Sequence, residues 1–150
     1  MPIPPLSPNG LLPTGYFDCT LDEVSSHYTW SPRRTELWTG FERFVAWARK
    51  GPPVTHIYLD GGFTSDKTHP KDIDVVMDLA GANQQTFLHW LQVFATQRSM
   101  LAQDFLVDFW VYHPSMPNDL RAFFQYVRPE EAQARQLKPT DRKGLLRVRL

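Results

Sequence analysis

The stretch Ile57-Tyr58-Leu59-Asp60-Gly61-Gly62-Phe63-Thr64, followed by Asp72-Ile73-Asp74-Val75-Val76-Met77, decides the reading of this chain. It reads as an apolar strand, a double-glycine turn, a polar loop and a second strand that opens with two aspartates one residue apart. Side chains alternate across a strand, so Asp72 and Asp74 share one face while Ile73 and Val75 enter the core. Two carboxylates held this close repel each other unless a cation lies between them. A turn without Cβ atoms at Gly61 and Gly62 lets a phosphate approach the backbone N–H groups. Strand, glycine turn and paired acids together are what metal-assisted nucleotide chemistry needs.

A third acid comes from farther along. In Leu106-Val107-Asp108-Phe109-Trp110-Val111 a lone aspartate interrupts a run that otherwise reads as buried. An unpaired buried carboxylate costs several kcal/mol, so Asp108 requires a metal, an arginine partner or a solvated face. If the three strands are neighbours, Asp72, Asp74 and Asp108 converge on one or two Mg²⁺ ions, since oxygen ligands without a Cys or His cluster suit a hard cation. Asp104, on the same strand parity as Asp108, is its rival for the third position. The alternative for all these acids is ordinary service in ion pairs and turn caps. Lys67 and Lys71, in the loop between glycines and aspartates, are placed to neutralise a triphosphate or to stand as solvated loop lysines.

The bulk composition sets limits. The chain has 150 residues, 42% hydrophobic and 21% charged, with formal net charge zero. That fits a single α/β domain over 1–150 with a real core. The neutral balance argues against a life of nonspecific attraction to DNA. A single cysteine, Cys19, excludes an internal disulfide framework, and no apolar run approaches the length of a membrane span. No secretory leader is evident at the N-terminus, so a cytoplasmic location without membrane attachment is the expectation.

Outward from the central stretch the elements follow from caps and periodicity. Residues 1–16 carry five prolines and two glycines and read as an extended Pro-rich arm, laid against the domain by Leu6, Leu11 and Leu12. Thr20 and Glu23 have capping-box spacing for a helix to about Tyr28. Ser31-Pro32 opens a longer helix to about Lys50, with Leu37, Phe41, Phe44, Val45 and Ala48 inward. Strands are expected over Thr55–Asp60 and Asp72–Leu79. Asn83 should cap a helix to about Gln97 whose inner face is Phe87, Leu88, Leu91, Phe94 and Ala95. A third strand is expected over Asp104–Tyr112, then a helix opened by Pro117-Asn118-Asp119 that buries Leu120, Phe123, Phe124 and Val127. Gly144–Leu150 alternates leucine and valine with Arg147 and Arg149, and reads as a last edge strand.

Gly61-Gly62, Asp72-x-Asp74 and a later strand acid resemble the polymerase-β-type nucleotidyltransferase superfamily. More narrowly, Gly10-Leu11-Leu12-Pro13-x-Gly15, Thr20-Leu21-Asp22-Glu23 and Lys143-Gly144-Leu145-Leu146 are similar to small bacterial nucleotidyltransferase-like proteins of largely unknown function. The resemblance implies a small mixed sheet flanked by helices, with Asp72, Asp74 and Asp108 as catalytic metal ligands. It implies that Gly61 and Gly62, helped by Thr64 and Lys67, hold the phosphates of ATP or another nucleoside triphosphate. The implied activity is Mg²⁺-dependent transfer of a nucleoside monophosphate to a hydroxyl of a protein, RNA or small molecule. The implied alternative is a weak or inactive binding protein on the same scaffold, such as an antitoxin or defence partner. Gly62 departs from the commoner serine, which removes one phosphate hydrogen bond worth about 1 kcal/mol. The chain carries no extra helical domain for an acceptor, so a protein partner, a homodimer or the arm would have to serve.

Among the remaining residues, His69 is a lesser metal or base candidate by its place in the loop. Cys19 has no recognisable His partner. Trp38 and Trp110 are remote candidates for stacking on a base. Between Pro129 and Leu150 six basic residues face three acids, which suits either RNA contact or a solvated edge.

Overall fold

Apolar alternation and helix caps carry the chain into a mixed α/β arrangement, seen in a computed structural model that describes residues 3–150. Five strands form one sheet: β1 (Tyr16–Cys19), β2 (His56–Asp60), β3 (Ile73–Asp78), β4 (Val107–Tyr112) and β5 (Leu145–Arg149), in the order β1-β5-β2-β3-β4. β1–β5 and β3–β4 are parallel, and β2 is antiparallel to both β5 and β3. β2 and β3 need only the glycine turn and loop between them, whereas parallel β3 and β4 require a crossover.

Four helices cover one face. α1 (Leu21–Tyr28) starts at the expected capping box, in which Thr20 accepts from the Glu23 N–H and the Glu23 carboxylate accepts from the Thr20 N–H. α2 (Pro32–Ala48) starts at Ser31 and buries all five expected residues. The crossover is two helices, α3 (Gln84–Thr96) and α4 (Arg98–Phe105). The main core lies between these helices and Ile57, Leu59, Val75, Met77, Phe109 and Leu146 of the sheet.

The opposite face of the sheet has a smaller cluster of Tyr58, Val76, Tyr112 and Leu145, covered by the segment that holds α5 (Leu120–Gln125) and α6 (Pro129–Ala134). That cover is partial. Where it ends, the polar residues of β2, β3 and β4 face open space, and the candidate site lies there. No helix is long and apolar enough to cross a membrane among the described residues.

Five expectations need correction. β5 is interior, flanked by β1 and β2, because Leu145 feeds the smaller cluster while Leu146 and Val148 enter the main core. Arg147, which suggested an edge, pairs across the strand boundary with Asp18 of β1 at 2.8 Å. The third strand begins at Val107, since residues 98–105 form α4 with Leu101 and Phe105 buried one turn apart. Leu106 ends that helix in a left-handed conformation, φ 57°, and turns the chain into β4. The inner face of α3 is shifted from the expected one: Phe87, Leu91 and Phe94 pack partly buried against the core, but the fully buried residues are Thr86, Trp90 and Val93, and Leu88 and Ala95 are exposed. α5 has no fully buried residue, Phe123 is 58% exposed, and Val127 lies past its end. Finally, β1 was not expected at all.

The proline-rich start supplies core residues, with Ile3, Leu11 and Leu12 buried and Leu6 partly so. Met1 and Pro2 of the expected arm lie outside the described residues.

Candidate metal centre

Strand register brings the aspartates together. Asp74 stands opposite Asp60 on β2 and opposite Asp108 on β4, so three carboxylates form a row across three neighbouring strands. Asp72 lies just before β3. One oxygen each of Asp72, Asp74 and Asp108 falls within 4.8 Å of the others. The three expected ligands therefore meet. Asp104 does not: it is exposed on α4, a helix rather than a strand, and its carbonyl accepts from the Arg43 guanidinium.

Crowded acids in a partly dry place resist ionisation. Burial, and then the neighbouring charges of Asp72 and Asp60, hold the Asp74 carboxyl up to about 9. Asp72 is raised by burial first and then by Asp108, with Arg128 offsetting part of the effect. Asp60 is raised by burial and pulled back by Lys143, whose Nζ lies 3.3 Å from its Oδ1. That ion pair and the adjacent Gly61 N–H are what offset the burial of Asp60, and neither meets strict hydrogen-bond geometry at its oxygens. Asp108 has a partner of its own: Arg98 donates to its Oδ1 at 2.8 Å and to the Phe109 carbonyl.

The donor set suits a hard divalent ion. Oxygens on opposite sides of one Mg²⁺ stand about 4 Å apart, and about 5 Å apart around Ca²⁺. The observed spread within 4.8 Å lies in that range. A positive ion there would also relieve the repulsion that keeps Asp74 protonated.

The glycine turn is shaped for the same carboxylates. Gly61 has φ +87°, and a Cβ on it would stand 1.9 Å from Asp74 Oδ2, so only glycine lets the turn pass this close to the acid. The loop behind it is fixed by Arg34. This fully buried guanidinium donates to the carbonyls of Tyr28, Gly62, Phe63, Ser65 and Lys67. Arg34 was missed in the sequence because an arginine in a helix's first turn reads as solvated, and nothing local marks its five acceptors.

The expected phosphate residues are divided by the structure. Gly61, Gly62 and Lys67 line a cleft of about 870 Å³ together with the acidic triad. Lys67 is half-exposed and lies 3.6 Å from Glu131. Thr64 is buried, its hydroxyl donates to the Gly61 carbonyl, and it is not in the cleft wall, where Ser65 stands instead. The facing wall is apolar, from Phe123, Phe124, Tyr126 and Val127, with Lys71, Arg128 and Lys143 adding positive charge.

Asp60 and Lys143 stand within quoted stretches of the sequence but carry no expected role there. The position before a glycine turn reads as the end of a strand, and its only signal is an aspartate closing an otherwise apolar run. The lesser candidates separate clearly. His69 is exposed away from the cleft wall. Trp38 is packed in the core against Phe41 and Phe63, and Trp110 lies beneath Arg98. Burial pushes the Cys19 thiol up to about 12. In the basic tail, Arg135, Lys143 and Arg147 are each in ion pairs with acids elsewhere in the fold.

Fold and site together define a mixed α/β protein with a carboxylate triad set in a cleft beside a tight glycine turn. The chain belongs to a family of unknown function, DUF6932, whose profile matches residues 4–149. No curated protein and no solved structure matches it.

Proposed function

We propose that this chain is a metal-dependent nucleotidyltransferase acting on ATP or another nucleoside triphosphate. The observation that carries the reading is the meeting of Asp72, Asp74 and Asp108 within 4.8 Å in the wall that also holds Gly61 and Gly62. The cleft is of a size that holds a nucleotide-sized ligand. Asp72, Asp74 and Asp108 would hold Mg²⁺, which when bound supplies charge neutralisation at the reacting phosphate. Asp108, once freed from Arg98, would accept the proton of an attacking hydroxyl. Gly61 and Gly62 would receive phosphate oxygens on their backbone, and the apolar wall of Phe123 and Tyr126 would receive the base. Catalysis of this kind rests on positioning and charge more than on covalent chemistry. The acceptor would be a hydroxyl of a protein, RNA or small molecule.

The test compares ATP labelled at the α-phosphate with ATP labelled at the γ-phosphate, in Mg²⁺, against protein and RNA acceptors. Nucleotidyl transfer labels the acceptor from the α position alone, and Asp74→Asn abolishes it. Label arriving from the γ position would overturn the reading.

A second reading is a catalytically weak binding protein, such as a toxin-neutralising partner. It is favoured by the 2.8 Å Arg98–Asp108 pair, which engages one of the three acids, and by glycine rather than a hydroxyl residue at Gly62. Calorimetry separates the two. Heat from ATP with Mg²⁺ supports transfer, and its absence at millimolar nucleotide supports the binding role.

A further inference from the structure

We infer that Lys143, seated on the buried carboxylate of Asp60, forms an anion subsite beside the acidic triad that takes the phosphate oxygens of a polyphosphate ligand. The inference deepens the nucleotidyl-transfer reading and rests on it for the divalent ion that would share the ligand.

Asp60 is the starting point. It is 1% exposed, has no partner in strict hydrogen-bond geometry on either oxygen, and borders the cleft. A leucine at this register position would add to the core at no electrostatic cost, whereas a buried carboxylate costs several kcal/mol unless paired. Its pair is the Lys143 ammonium at 3.3 Å.

Lys143 is placed to serve a ligand as well. Its side chain is 17% exposed and lies in the cleft wall. An ammonium carries three N–H donors; Asp60 faces one of them, and Lys143 pairs with no other acid among the described residues, so the rest are open to a ligand. Its backbone is held from both sides. The Lys143 N–H donates to the Gln125 carbonyl, and the Gly144 N–H donates to Leu12. A Cβ on Gly144 would stand 2.1 Å from the Pro13 carbonyl, so the strand start is locked against the proline-rich segment. The result is a fixed, half-dry cation with unused donors, on the strand start that β2 separates from the strand of Asp74.

The charge layout selects the ligand class. Arg128, also in the cleft wall, has no salt-bridge partner among the described residues. Two cations therefore face a triad that suits a divalent ion. A bare cation has no use for Lys143 and Arg128, and a neutral ligand has no use for either group. A chain of phosphates uses both, by coordinating the ion and by accepting from the ammonium.

The test uses the full chain with inorganic pyrophosphate and Mg²⁺, followed by calorimetry, with Mn²⁺ alone titrated in parallel. Wild type should bind both. Lys143→Met should weaken pyrophosphate by roughly tenfold or more while leaving Mn²⁺ affinity within about twofold. Lys143→Arg should restore most of the loss. Asp60→Asn should weaken pyrophosphate less, and should add nothing in the Lys143→Met background if Asp60 acts through Lys143. Because losing Lys143 strands a buried acid, acetylation footprinting of wild type gives a second measurement: pyrophosphate with Mg²⁺ should protect Lys143 and leave exposed Lys50 and Lys138 unchanged. Unaltered pyrophosphate binding by Lys143→Met, or no protection at Lys143, overturns the inference. Mn²⁺ binding without pyrophosphate binding overturns it while leaving the metal centre standing. Failure of wild type to bind Mn²⁺ removes the metal centre itself.

Discussion

Asp74 concentrates the electrostatic tension of the molecule, because three other carboxylates surround a largely buried acid. Its folded-state pKa, raised to about 9, lies far above the ordinary 3.8. A raised acid stabilises the fold while protonated, so its contribution is complete below about pH 4 and drains as pH rises towards 9. The melting temperature of metal-free protein should therefore fall as pH rises from 5 to 9. Asp74→Asn should flatten that slope and raise stability at pH 8.5; a pH series of thermal melts checks both, and an unchanged slope would count against the crowding. Arg34 is the other decisive residue. Arg34→Met would leave five carbonyls without their donor, three of them on the buried residues Tyr28, Phe63 and Ser65, and urea unfolding should register a loss of about 3–5 kcal/mol.

At the level of elements, the join between α4 and β4 determines which acid belongs to the site. Leu106 ends the helix, so Asp104 stays on an exposed helical surface and Asp108 falls on the strand as its second residue. Asp108→Ala should weaken Mn²⁺ binding by tenfold or more on the order expected for a lost carboxylate ligand, and Asp104→Ala should leave it unchanged. Equal effects in calorimetry would contradict this assignment. The tight turn at Gly61, between β2 and the short helical turn Gly62–Thr64, makes a second element-level test. Gly61→Ala forces a Cβ into Asp74 and imposes strain at φ +87°. It should cost about 1–3 kcal/mol and displace the triad, read as lost Mn²⁺ affinity in a protein that still folds.

For the whole molecule, the interior place of β5 ties the two ends of the chain together. β5 joins β1 to β2 and anchors the segment that carries Lys143. Removing residues 145–150 should therefore abolish cooperative unfolding by calorimetry, whereas removal of a true edge strand would leave a weakened but cooperative transition. Much of this architecture was legible in the sequence. The Thr20, Ser31 and Asn83 caps placed three helix starts, because a capping hydroxyl or amide bonds to N–H groups two or three residues away. The alternation of Asp72 and Asp74 with Ile73 and Val75 placed two acids on one strand face for an equally local reason.

What the sequence determined by itself was therefore the local chemistry: helix starts, strand faces, and the pairing of Asp72 with Asp74. Only the tertiary structure decided which strands became neighbours, since register between β2, β3 and β4 depends on contacts between residues far apart in the chain. That register brought Asp108 to the pair and added Asp60. Closure of the sheet by β5 then set Lys143 against Asp60, across a separation that no short-range pattern spans.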